Sequence, residues 1–302
     1  MPLNKSWHDY NESLIERGRI LMDISFLGSS KKEIKNMNKG KVGAAFEYSH
    51  TYIQFLAFLK IGFKIAYRTV QGIIRGLSDY IKIKEIHFTQ IRRRILKVKP
   101  SVGNLNLDND NDDDDNKPIT LIVDASGLTI TKKGDYIEQK WIRKKKEFIK
   151  LHIAVDAKSK KVVSFRGVTK GNVHDSKKFS PMIKEVSEGY DIDKVYADKA
   201  HDNRRSFNLL DNLNIEPAIQ IRKNASIKTK GCPLRRDEVL LIKKLGYERC
   251  KQLKDMGRRW IAEIVFSSLK RILGEDLLSR KFKAQKIEAR LKVMLYNKFM
   301  SF

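Results

Sequence analysis

From residue 119 onward the chain alternates β-rich and helical segments in a fixed order, and that order limits its folds more than any other feature. Apolar runs rich in β-branched and aromatic residues occur at 119–124 (ITLIVD), 149–155 (IKLHIAV), 161–168 (KVVSFRGV), 193–197 (DKVYA) and 215–221 (IEPAIQI). Helix-like stretches separate the later runs, at 176–187 (SKKFSPMIKEVS) and 203–212 (NRRSFNLLDN). Asp175 or Ser176 is placed to cap the first of them.

Three strands, a helix, a strand, a helix, a strand and then more helices is the order of an RNase H-like fold. The fold class expected is therefore α+β/α/β, a mixed sheet flanked by helices. In that architecture the first strand is central and pairs with the fourth. Asp124 and Asp198, which end the first and fourth runs, are then expected side by side although 74 positions separate them.

Residues 1–100 have a different pattern. Tyr52, Phe55, Leu56, Leu59 and Phe63 recur at helical spacing, as do Val70, Ile73, Ile74 and Leu77. After a break at Ser78-Asp79, Phe88, Ile91 and Ile95 form one face of a third segment whose other faces carry Gln90, Arg92, Arg93 and Arg94. The pattern suits a small all-helical, helix-turn-helix-like DNA-binding domain with its reading helix near 88–97. Between the halves lies NLNLDNDNDDDDNKP (104–118), which cannot bury apolar area and repels itself. It lacks the central Gly and terminal Glu of a calcium loop. The domains expected are a helical N-terminal domain over 1–100, an acidic linker over 101–118 and a catalytic domain over 119–302.

Charge points to the partner. Lys and Arg number 62 against 36 Asp and Glu, a formal charge of +26. Double-stranded DNA is the economical explanation, since each neutralised phosphate releases condensed counterions. The most apolar segment, 51–67, is interrupted by Gln54, Lys60 and Lys64, so no membrane span is expected. The segment MPLNKSWHDYN has no uncharged apolar core of a secretory signal, which suits the cytoplasm. Cys232 and Cys250 have no paired-cysteine spacing and are expected to be free thiols.

A third carboxylate, Glu263, sits within GRRWIAEIVFSSLKR. Trp260, Ile261, Ile264, Val265, Ser268 and Leu269 make an apolar stripe, with Arg259, Glu263 and Lys270 on its flank. Alone, such a Glu is an ordinary ion-pair member. Together with two strand-end aspartates it forms a set of hard oxygen donors suited to magnesium or manganese, two ions per site. Asp156, Asp175 and Asp202 read as turn or cap residues, with Asp202 the best candidate for more. The basic tracts KWIRKKKEFIK (140–150), RKNASIKTK (222–230) and LRRDEVLLIKK (234–244) suit phosphate contact, with Lys144, Lys145, Arg222 and Lys223 as candidates. Trp141 or Phe148 could stack on a base. His152 and His174 read as strand-face and cap-adjacent residues.

These segments resemble the DDE transposases of bacterial and archaeal insertion sequences, in the group named after insertion sequence five. The resemblance rests on SWHDYNESLIERG, YRTVQGIIRGL, LIVDASG, KLHIAVDAKSKKVVSFRGVTKGNVHDSKKF, VYADKAHD, IRKNASIKTKGCP and GRRWIAEIVFSSLKRILGE. Its most specific element is the signature Y-x2-R-x3-E-x6-K, filled here by Arg259, Glu263 and Lys270, with Met256 in the Tyr place. His201 likewise stands where a Tyr often follows the second Asp. The resemblance implies a catalytic triad of Asp124, Asp198 and Glu263 on two divalent metals, cleavage at the element's terminal inverted repeats, and attack of the freed 3′-OH on target DNA. It implies phosphate or end contacts for Arg259 and Lys270, a homodimer on DNA, and a place at the nucleoid of a prokaryotic cell. An RNase H-like nuclease or resolvase without strand transfer, and a non-catalytic DNA-binding relic, are the rival readings.

Overall fold

The computed structural model describes residues 6–98, 118–130, 148–170 and 174–301, so Lys144, Lys145, Trp141 and nearly all of the acidic tract lie outside the described residues. The chain divides into two units, Met1–Pro100 with Ser279–Phe302, and Ser101–Leu278.

The first unit is helical. Helices α1 (Trp7–Leu21), α2 (Phe26–Asn38), α3 (His50–Gly62), α4 (Tyr67–Ser78) and α5 (Phe88–Ile95) are joined by the chain's last helix, α11 (Phe282–Phe299). Helix α3 is buried along most of its length, with Tyr52–Ile53 and Phe55–Ile61 all buried, Lys60 among them. It is therefore the core element, with α1, α2, α4, α5 and α11 packed on it. The Ser49 hydroxyl caps its start by accepting from the Tyr52 amide. Phe63, expected on the buried face, follows the helix end and is half exposed. Helix α11, which sequence order assigns to the catalytic part, packs on α1 and α3. Residues 79–87 connect α4 to α5, longer than the tight turn of a helix-turn-helix.

The second unit carries the sheet. Its strands are β1 (Ile119–Ile130), β2 (Phe148–Asp156), β3 (Val162–Lys170), β4 (Ile192–Ala197), β5 (Glu216–Ile219) and the short β6 (Asp276–Leu277). Helices α6 (Ser176–Ser187), α7 (Arg204–Asn212), α8 (Pro233–Leu245), α9 (Tyr247–Leu253) and α10 (Trp260–Leu273) complete it. The order is β3-β2-β1-β4-β5, with β6 beside β1. β1, β2 and β3 run antiparallel, whereas β4 and β5 run parallel to β1. This mixed sheet with β1 central and β4 beside it is the arrangement the segment order implied.

Strand alternation assigns the two faces. Leu121, Val123, Val195 and Ala197 pack with Phe179, Met182 and Ile183 of α6 and Phe207 of α7. Ile122 and Tyr196 turn to the opposite face, against Ile261 and Ala262 of α10. β1 runs six residues past Asp124, further than its apolar run suggested, held by pairing with β2 as far as Thr129–Phe148. Both cysteines are free and buried. Among the described residues no helix is long and apolar enough to cross a membrane.

Candidate active site

Val123 and Ala197 are register partners across the parallel pair β1/β4. The residues that follow them, Asp124 and Asp198, thus leave neighbouring strands whose spacing is about 4.8 Å. Each shares the parity of a residue, Ile122 or Tyr196, on the α10 face. Beyond Val123, β1 has no partner on the β4 side until Thr129 meets β6, among the described residues. That open edge starts at Asp124.

Glu263 lies in the first turn of α10, just after the residues that pack on the same face. Arg259 ends a short 3₁₀ turn (Met256–Arg259) rather than belonging to the helix, as the sequence had it. Its guanidinium lies 3.1 Å from Glu263 Oε1 and 3.9 Å from Asp124 Oδ2. One cation therefore faces two of the three carboxylates. Lys270 follows seven residues later on α10, about 10 Å further along the axis.

Burial pushes the Asp124 carboxyl above its usual range. The Ala125 amide, which donates to Asp124 Oδ1 over 2.8 Å, and then Arg259 pull it down. Asp198 and Glu263 push it up again, so the three carboxylates sense one another. Asp198 accepts from the Ala200 amide (2.9 Å), and His201 Nε2 stands 3.7 Å from its Oδ1. His201 is buried, and its Nδ1 has no hydrogen-bond partner among the described residues.

Three carboxylates against one guanidinium leave a net negative, all-oxygen donor set, the chemistry a hard divalent cation satisfies. Among the described residues, no three His, Cys, Asp or Glu side chains stand close enough to ligate one ion as they are placed. The residues fit such an ion by donor type, with Arg259 as the present counter-charge.

The other aspartates have structural partners. Asp202, the best further candidate in sequence, is buried and holds Arg235 through both oxygens at 2.6 and 3.2 Å. Asp156 accepts from the Lys158 and Ser159 amides in the β2–β3 turn. Asp175 precedes α6 but makes no side-chain cap bond; it pairs instead with Lys150 Nζ at 2.8 Å. His174 takes over the capping, with its Nδ1 3.3 Å from the Ser176 amide.

Two residues at the site escaped the sequence reading. Gln220, just past β5, donates to the Tyr247 hydroxyl over 2.8 Å. Both line a cavity of about 910 Å³ beside Asp198 and another of about 280 Å³ beside Arg259 and Glu263. Gln220 carried the signal that marked Asp198, a polar residue at a strand's C-terminal end. Arg222 and Lys223 line the larger cavity. In the helical unit, Arg92 and Arg93 on α5 are exposed, whereas half-buried Arg94 lies 4.7 Å from the Tyr48 ring centroid.

A family model described as Transposase DDE domain matches residues 115–298, and a second model of the same description matches residues 15–133. No curated protein matches the chain. A solved structure titled "Crystal structure of the Mos1 mariner paired end complex with Mn" is 11% identical over 78% of this chain and 81% of that one, with a TM-score of 0.25.

Proposed function

Since the chain belongs to the family of transposase DDE domains, we propose that it binds the ends of an insertion sequence, cuts them and joins the 3′-OH to target DNA. The motifs quoted above favour the group named after insertion sequence five. The observation that carries the reading is the pairing of Val123 with Ala197, which brings two strand-end aspartates together beneath the helix that bears Glu263.

Asp124, Asp198 and Glu263 would hold two magnesium or manganese ions. Bound there, such ions polarise phosphoryl oxygens and raise the nucleophilicity of a coordinated water or hydroxyl. Asp124 is held by the central strand and the Ala125 amide, and Asp198 by the Ala200 amide, so each has one oxygen fixed by the backbone while the other can turn to a metal. Arg259 offers a planar donor fork that can pass from the carboxylates to a phosphate. Tyr247, accepting from Gln220, keeps its own proton free to donate to DNA.

The helical unit would supply recognition of the terminal inverted repeats, through Arg92 and Arg93 on α5. Two ends must meet for joining, so a homodimer on DNA is the working assembly, at the nucleoid in the cytoplasm.

The test uses the full-length protein, magnesium or manganese, and a duplex ending in the element's inverted repeat. Replacing Asp124, Asp198 or Glu263 by Ala should abolish cleavage and 3′-OH joining while DNA binding persists. Metal-dependent cutting retained in any of the three variants would refute the triad. Hydrolysis without joining in the unaltered protein would make it a nuclease.

A further inference from the structure

Three cavities of the sheet unit follow one another through shared walls. The cleft beside Arg259 and Glu263 shares Gln220 and Tyr247 with the 910 Å³ cavity that reaches Asp198. That cavity in turn shares Arg222, Asn224 and Ala225 with a pocket of about 330 Å³. The last pocket is lined by five cations: Arg204, Arg222, Lys228, Lys230 and Arg235.

Its charge is not balanced from within. Asp202 is the pocket's one carboxylate, and its oxygens are taken by Arg235 and by the Arg222 amide at 3.0 Å. Arg204 donates to the Lys230 carbonyl (2.9 Å) and Arg222 to the Lys199 carbonyl (3.2 Å). Those carbonyls aim the guanidiniums without neutralising them. Lys228 and Lys230 are exposed and have no carboxylate partner among the described residues. Four cations thus line one small pocket with no carboxylate partner among the described residues. Ile221, Ala225, Val239 and Ile242 give the larger cavity, which also reaches Asp198, an apolar wall.

We propose that this pocket is a phosphodiester subsite for the DNA strand that leaves the carboxylates, holding its backbone phosphates while its sugars cross the apolar wall. The origin of the strand rests on the catalytic reading; the anion chemistry of the pocket does not. Arginine forks and flexible lysines together suit phosphates whose exact positions vary with sequence. The subsite gives the reacting strand a second anchor beyond Asp198, so its grip persists when the metals are removed.

The experiment therefore measures DNA binding in chelator, by anisotropy of a labelled inverted-repeat duplex over a range of salt, with full-length protein. Each phosphate contact contributes about 0.9 to the slope of log affinity against log salt. The double variant Lys228→Gln/Lys230→Asn should flatten the slope by nearly two, again about 0.9 per contact, with an unchanged melting temperature. Single methylphosphonate replacements should weaken binding to the unaltered protein at positions where they no longer matter to the double variant. Millimolar inorganic phosphate should not displace the duplex. An unchanged slope, or identical methylphosphonate profiles, would overturn the subsite. Displacement by inorganic phosphate would make it a free-phosphate site instead. Should the double variant melt early, Lys228→Gln alone decides, through a flattening of about 0.9 or none. Asp198→Ala keeps the pocket and the full slope, so failure of the triad reading shows in joining and failure of the subsite shows in salt dependence.

Discussion

Arg259 reaches Asp124 Oδ2 across 3.9 Å from a turn that precedes α10, while the same guanidinium meets Glu263 at 3.1 Å. It stands beside two of the carboxylates as their counter-ion and would compete with a metal for them. Both Arg259 and Glu263 are substantially exposed, so the pairing itself is worth less than about 1 kcal/mol of stability. Arg259→Gln should therefore leave the melting temperature nearly unchanged. Calorimetric titration of the variant with manganese should show tighter binding than in the parent, while DNA cleavage falls. Weaker metal binding would mean that Arg259 organises the carboxylates rather than occupying them.

His201 acts on Asp198 from below. Burial lowers its pKa, with Asp198 the largest opposing influence, and the ring packs 4.9 Å from Phe179. The gap of 3.7 Å to Asp198 is too long for a hydrogen bond, and a buried Nδ1 without a partner among the described residues is costly. His201→Phe keeps the packing and removes that cost. The variant should melt no lower than the parent, and, since no hydrogen bond from His201 orients Asp198, its manganese affinity should change by well under the roughly 10- to 100-fold loss usual when an orienting group is removed. A loss of that size would mean that His201 closes on Asp198 when metal binds.

The strands could be read from sequence because their apolar runs are continuous, and Asp124 and Asp198 stood out as the charges that end two of them. The rest of β1 could not. ASGLTI is small and polar enough to pass for a turn, and only pairing with β2 keeps it extended. β6 is two residues long and has no pattern of its own. The periodicity of α11 announces a buried face without naming the partner, so its place beside α1 and α3 was hidden. Tyr247 was hidden for a similar reason: its meaning comes from Gln220, 27 positions away.

His152 makes stability pH-dependent. Burial lowers its pKa to about 4, against the pull of Asp175. The unfolded chain binds a proton near pH 6.5 that the folded chain refuses until about pH 4. Stability is complete above the unfolded value and is lost as pH falls through that window, by roughly 3 kcal/mol at its lower end. Urea midpoints measured from pH 7 to 4 should decline in the parent and much less in His152→Gln. Parallel declines would assign the effect to other groups.

Lys254 and Glu238 form a buried ion pair between the end of α9 and α8, and Lys254 Nζ also donates to the Pro217 carbonyl on β5 at 3.2 Å. The pair ties the segment carrying Tyr247 to the strand beside β4. Removing one partner strands the other charge in a poorly solvated place, at a cost of about 3–5 kcal/mol. Lys254→Met should lower the urea midpoint accordingly, and adding Glu238→Leu should restore most of it, because two apolar side chains of similar volume need no compensation there. A double variant as unstable as the single one would show that the Pro217 contact, and not the charge pair, fastens this corner.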